Sequence, residues 1–212
     1  DEEARNYKVD QSFVNQMINA SALDNGLHAG DLKFVDLDGN NKIEQTTSAN
    51  DRKDMKVIGN SLPRYNYNFG ISADWYGIDF SVLFQGIGKQ NWYPGAETSM
   101  FWGPYSRPYA SFIPSDFMSQ VWSEENTNAY FPRPRGYVAL GSNRELAVVN
   151  TKYLQNLAYC RLKNLSIGYT LPDKWLSKIG FEKIRVYFSG ENLLTFTKLH
   201  SDYIDPEQAS AS

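Results

Sequence analysis

Between Arg64 and Gly88, apolar and polar residues alternate one for one. Tyr65, Tyr67, Phe69, Ile71, Ala73 and Trp75 share one parity; Asn66, Asn68, Gly70, Ser72 and Asp74 share the other. After Tyr76-Gly77 the pattern restarts, with Ile78, Phe80, Val82 and Phe84 set against Asp79, Ser81, Leu83 and Gln85. A period of two belongs to strands with one apolar face. The short link carrying Gly77 predicts a hairpin over 64–88. Each arm has about the ten residues that a tilted strand needs to cross a bilayer. A soluble sandwich strand shows the same alternation, so the pattern fits either setting.

The alternation returns over 153–197. Tyr159, Leu165, Ile167, Tyr169 and Leu171 form an apolar face opposite Asn164, Ser166, Gly168 and Thr170, with Arg161 and Lys163 interrupting the early end of the apolar side. Asp173 after Pro172 opens a short helix that Gly180 ends. Residues 182–197 then place Ile184, Val186, Phe188, Leu194 and Phe196 on one side, and Arg185, Tyr187, Ser189, Glu191 and Thr195 on the other. Four long strands in two hairpins follow, with short turns at one end and long segments at the other. Four strands cannot close a barrel, and an open amphipathic sheet leaves edges and an apolar face exposed. This chain therefore reads as a piece of something larger.

The remaining segments are of other kinds. In 1–30, Phe13, Met17 and Ile18 recur at helical spacing with Val14 beside them, and Gly26 is a stop. The long connection 89–152 carries Trp92, Tyr93, Trp102, Tyr105, Tyr109, Trp122 and Tyr130, too many aromatics for a disordered segment. Ser115 reads as the N-cap of a short helix through Trp122. Trp92, Trp102, Tyr105 and Tyr109 are candidate ligand contacts, by stacking on sugar faces; packing of the loop on itself is the competing account. The segment 198–212 is a polar tail.

Residues 1–60 hold the candidate metal site. In DLDGNNKIE, Asp36, Asp38 and Asn40 alternate through a tight turn, followed by Lys42 and Glu44. Calcium takes about six to eight oxygen ligands, and short side-chain oxygens at alternate positions can converge on it. The Lys42 carbonyl occupies the backbone-ligand position. Asn41 stands where such loops carry glycine, and it too tolerates a positive φ. The closing carboxylate is absent at its usual distance, where Thr47 stands, and Asp51 could close the site if 45–50 bulge out. The competing account is an Asp/Asn-rich turn without metal.

Charge narrows the functions. The chain has 21 basic and 24 acidic residues, net −3, and no clustered basic stretch, so there is no electrostatic case for nucleic acid. The single cysteine, Cys160, excludes an internal disulfide. No apolar run approaches the about 18 residues of a transmembrane helix, which leaves a membrane barrel open. DEEARNYKVD lacks the basic and apolar regions of a signal peptide. His28 and His200 have no ligand-spaced companions for zinc, and no GxSxG, phosphate-loop or HExxH motif is present. Glu124 and Glu125 are adjacent, which suits a solvated face rather than an acid–base pair. Asp74, Asp79 and Glu191 lie on polar strand faces, as in any barrel lumen, so no enzyme is expected.

In order, GDLKFVDLDGNNKIE, DRKDMKVIGNSLPRYNYNFGISADWYGIDFSVLFQGIG, YLQNLAYCRLKNLSIGYTLPDKWLSKIGFEKIRVYFSGENLLTFTK and DYIDPE resemble the C-terminal part of SusC-like TonB-dependent transporters, the outer-membrane glycan importers of Bacteroidetes. The resemblance covers about residues 30–207. It implies an all-β fold: an antiparallel transmembrane β-barrel segment, four long strands of a barrel of about 22 strands with a plugged lumen, with long extracellular loops and short helices. On that map 64–88 and 153–197 are barrel hairpins, and 1–60, 89–152 and 198–212 are extracellular, the final strand missing. The resemblance also implies a SusD-like surface lipoprotein as lid, TonB acting through a missing N-terminal part, the remainder of the barrel and outer-membrane lipid as partners, a removed leader, and glycan as cargo. Peptide cargo is an alternative, because both kinds of importer share the scaffold. A soluble secreted calcium-stabilised glycan-binding β-domain is the reading that remains without the resemblance.

Overall fold

The computed structural model describes residues 2–10, 27–106, 112–134, 139–141, 144–178 and 180–209. The helix expected around Phe13, Val14, Met17 and Ile18 lies outside the described residues; before it stands a short helix α1, Glu2–Asn6. The chain divides into two compact units, one of 1–58 with 93–154, the other of 59–92 with 155–211.

The second unit is built on a four-stranded antiparallel sheet. Its strands are β1 (Arg64–Trp75), β2 (Ile78–Lys89), β5 (Tyr159–Thr170) and β6 (Arg185–Thr197), in the order β1-β2-β5-β6. A two-stranded ladder pairs β3 (Asn91–Trp92) with β4 (Gln155–Asn156). Tyr76 at φ 46° and Gly77 at φ 85° make the two-residue link, the left-handed pair that matches the twist of a hairpin. Gly77 also receives β5: Thr170 N donates to its carbonyl at 2.7 Å, and a Cβ there would meet Thr170 O at 2.8 Å. After β5 the chain turns through α3 (Asp173–Leu176), and Gly180 follows at φ 77°.

Register aligns the faces that the alternation predicts. Trp75, Ile78, Tyr169 and Val186 form one row; Ala73, Phe80, Ile167 and Phe188 form the next. Phe69 stacks on Phe84 with centroids 5.0 Å apart. On the opposite side Ser72, Ser81, Ser166 and Ser189 form a polar row. Nothing described covers the apolar side: Phe69 is 50% exposed and Phe188 59%.

One region departs from the expected parity. Leu83 pairs with Asn164, but Phe84 pairs with Leu162, so β5 carries one extra residue, Lys163. A bulge of this kind reverses every side chain beyond it. Leu162 and Cys160 therefore share the face of Phe84, Leu194 and Phe196, while Arg161 and Tyr159 turn to the polar face beside Gln85, Ile87 and Thr195. The expectation that Tyr159 lies on the apolar face, and that Arg161 interrupts it, is corrected by this bulge.

The first unit is organised around aromatic rings. Phe101 and Trp102, in α2 (Ser99–Trp102), pack with Tyr105, Phe117, Tyr130, Phe131 and Tyr153. The expected helix from Ser115 to Trp122 is a 3-10 turn, Phe117–Gln120, with Asp116 at the N-cap position making no side-chain cap; Val121 is already extended and bridges to Phe131.

Candidate functional site

The acidic loop is shaped by its own side chains. The Asp36 carboxylate accepts from the amides of Gly39 and Asn41, both at 2.7 Å, and Asn40 Oδ1 accepts from Lys42 N at 2.8 Å. Gly39 and Asn41 take φ 79° and 63°, as the turn requires. Asp10 bridges to the loop from outside, donating to Asn41 O at 2.8 Å and accepting from Ile43 N at 2.7 Å. Ile43 is thereby buried.

Ligand atoms of Asp36, Asp38 and Asp54 converge within 4.8 Å of one another. Asp54 clamps both ends of the loop, accepting from Leu37 N and Glu44 N at 2.7 Å each. Asn40 Nδ2 donates to Asp38 at 3.2 Å and to Glu44 at 3.4 Å, which sets Asn40 and Glu44 beside the cluster. The Lys42 ammonium pairs with Glu44 at 3.2 Å. Asp51 pairs with Lys53 at 3.4 Å, and the third carboxylate near Asp36 and Asp38 is Asp54. Desolvation raises the Asp36 carboxyl, but the amides of Asn41 and Gly39 outweigh it and hold the group below its ordinary value. The hydrogen bond and charge of Lys42 do the same for Glu44. Asp36 and Glu44 are thus held in their ionised form, and the cluster of Asp36, Asp38 and Asp54 offers only carboxylate oxygens. Glu44 and Asp54 also line a cleft of about 740 Å³ with Leu37, Met55, Val149 and Lys152, so the Asp54 clamp shapes that cleft as well.

The aromatic candidates are placed differently. Trp102 and Tyr105 are fully buried: Trp102 Nε1 donates to Pro94 O and Gly95 O at 3.1 Å, and Tyr105 OH donates to Pro132 O at 2.5 Å. Trp92 is buried in the second unit against Leu157, Leu199 and Ala209. Trp102 and Tyr105 thus pack within the loop, whereas Trp92 packs within the second unit. Tyr109 lies outside the described residues.

The polar sheet face carries two ion-pair groups. Near the hairpin turn, Arg185 reaches over Gly168 to Asp79, its Nε donating at 2.8 Å. At the other end, Arg161 donates to Thr195 Oγ1 at 2.9 Å, Glu207 at 2.6 Å and Asp205 at 2.5 Å; Lys163 Nζ adds a contact to Glu207 at 3.3 Å. Period-two reasoning misses this group, because it puts Arg161 on the wrong face. The acid pair in DYIDPE was its available signal.

Desolvation pushes the Asp205 carboxyl up, but the Arg161 hydrogen bond and the Glu207 amide pull it below its ordinary 3.8. A depressed carboxyl adds stability above its unfolded value and loses it as pH falls through the folded one. The protection of amides 203–209, measured relative to their intrinsic exchange at each pH, is expected to stay constant from neutrality down to the ordinary carboxylate range and then to fall. A fall in protection between pH 7 and 5 would contradict the pairing.

No family model matches the sequence. The chain is 35% identical over 176 residues to TonB-dependent receptor P3 of Formosa agariphila, covering 82% of this chain and 15% of that protein. It is 27% identical over 192 residues to TonB-dependent receptor P26 of the same organism, covering 90% of this chain and 17% of that protein. Among solved structures, the RagAB peptide transporter is similar with a TM-score of 0.50 at 24% identity, over 77% of this chain and 17% of that chain. The chain thus spans less than a fifth of the length of these relatives.

Proposed function

The chain belongs to the TonB-dependent receptor family, and from that premise we propose that it is the C-terminal barrel segment of a SusC-like outer-membrane importer. The observation that carries this reading is the sheet itself: four long strands, apolar on one side and polar on the other, with the apolar side uncovered. A bilayer accepts such a face, provided the sheet edges continue into a closed barrel. In the intact protein of about 22 strands, β1, β2, β5 and β6 are late strands, and Tyr76-Gly77 and 171–184 are periplasmic turns. Residues 1–60, 89–152 and 198–212 are extracellular. A SusD-like lipoprotein covers the outer mouth, and TonB acts through a plug supplied by the rest of the chain. No chemistry is assigned to the segment itself.

The cargo on this reading is an oligosaccharide. The solved neighbour named above transports peptide, which makes peptide uptake the competing outcome. Deletion of the intact gene is expected to abolish growth on particular oligosaccharides and spare growth on peptides; the reverse pattern assigns peptide cargo. The barrel is tested by fractionation and gel electrophoresis. An outer-membrane band that shifts on boiling supports it, and a soluble band without the shift leaves the secreted binding domain.

Calcium at the acidic loop belongs to the same proposal. Asp36, Asp38 and Asp54 would hold it, with Asn40 and Glu44 alongside, and the ion would neutralise the cluster and fix the loop. Calcium is expected to raise the Tm of loop unfolding in the wild-type receptor. Asp54→Asn should remove most of that gain, whereas Asp51→Asn should keep it. A wild-type protein indifferent to calcium would show the loop to be a hydrogen-bonded turn only.

A further inference from the structure

The segment after β6 returns over the polar face of the sheet, held by two kinds of contact. Leu199, Ile204 and Ala209 pack on Trp92 and Leu157. Between them, Asp205 and Glu207 both reach Arg161, at 2.5 Å and 2.6 Å. Glu207 N donates to Asp205 Oδ1 at 2.9 Å, a turn that projects both carboxylates the same way. Gln208 N and Ala209 N return to the carbonyl of Asp205 itself, at 3.0 Å. The segment is therefore a self-closed turn, not a strand added to the sheet.

Arg161 differs from a surface cation. It is 7% exposed, and three of its nitrogens each have a named acceptor. A buried guanidinium stripped of its carboxylates is strongly disfavoured, whereas exposed pairs contribute little. The bulge at Lys163 is what turns Arg161 to this face, and Lys163 itself contacts Glu207. The sheet thus presents a dyad of cations to an Asp-Pro-Glu acid pair.

We propose that Arg161 and Lys163 form a docking site for the acid pair of the segment that follows β6. The site clasps 203–209 across the polar face as a releasable strap. Because side chains make the clasp, it opens without unzipping the sheet. Given the importer reading, on which this last point rests, the polar face lines the passage and the strap narrows its outer mouth.

The test uses the full-length receptor with Ala209→Cys as reporter in a Cys160→Ser background. Position 209 is 4% exposed while the strap is docked. Arg161→Gln is expected to speed thiol labelling at least about tenfold, the factor that corresponds to 1.4 kcal/mol. Asp205→Asn with Glu207→Gln should do the same, and combining all three should add little, as for partners in one network. Arg161→Lys should restore only part of the protection, since an ammonium cannot fork to two carboxylates. Labelling at the wild-type rate in both the Arg161 variant and the strap-side double variant overturns the clasp. The heat-shifted gel band, followed in parallel, separates strap release from unfolding. If Arg161→Gln loses that band, the strap-side variant decides. A wild-type protein without the band refutes the barrel and leaves the labelling comparison intact.

Discussion

Trp102→Ala is expected to destabilise the loop unit by about 3–5 kcal/mol, the range for emptying a buried aromatic site. The side chain is fully buried, edge-on to Phe101 at 4.8 Å and Tyr153 at 5.2 Å. Its Nε1 proton satisfies the carbonyls of Pro94 and Gly95. Truncation therefore removes packing and takes the indole donor from the Pro94 carbonyl, while Gly95 O keeps the Thr98 amide at 3.0 Å. Amide exchange over 93–154 should report the loss, while the heat-shifted gel band of the full-length protein persists, because the strands are held by their own ladders. Met118→Ala, at an exposed position, should change exchange by less than about 0.5 kcal/mol. Equal effects of the two would mean that the ring cluster is not what holds the unit together.

Gly86→Val should be the most damaging single change in the sheet. A Cβ at Gly86 would lie 2.1 Å from the backbone oxygen of Tyr159 and 2.4 Å from the Tyr67 hydroxyl. The first contact is with backbone, so β2 and β5 must separate to relieve it. The Tyr67 hydroxyl, which donates to Tyr159 O at 2.9 Å across β2, loses its place as well. Overpacking of this kind costs about 1–3 kcal/mol or more. The expected readout is a heat-shifted band that is lost at lower temperature, or absent. Gly95→Ala, where a Cβ meets nothing within 4 Å, is the control and should be neutral. A stable band in Gly86→Val would show that the two strands can part locally without cost.

The two changes probe different kinds of information in the sequence. The hairpins, their turn and the polar and apolar rows were legible because period-two alternation is a local property, and register then follows from burying like faces together. The family motifs were legible for a related reason: they are runs of such local choices in a fixed order. Asp36, Asp38 and Asn40 were legible as a turn because each bonds an amide two to five residues on.

Other features depended on distance in the chain. Nothing in Arg161-Leu162-Lys163-Asn164 announces an extra residue. The bulge exists only relative to β2, and it decides that Arg161 faces Asp205 and Glu207 rather than the apolar side. Asp54 lies beside Asp36 and Asp38 because it meets amides at both ends of the loop, 17 and 10 residues away. For the aromatic rings, composition marked 89–152 as ordered, but whether a ring stacks on a ligand or on its neighbours depends on what surrounds it. Trp102 and Tyr105 are enclosed by rings from segments up to residue 153. The sequence by itself determined the long strands and their faces away from the start of β5, through short-range periodicity, and pointed to the kinship through its ordered motifs. Only the tertiary structure decided where the charges meet and which aromatics are sealed, since both depend on partners that no local pattern encodes.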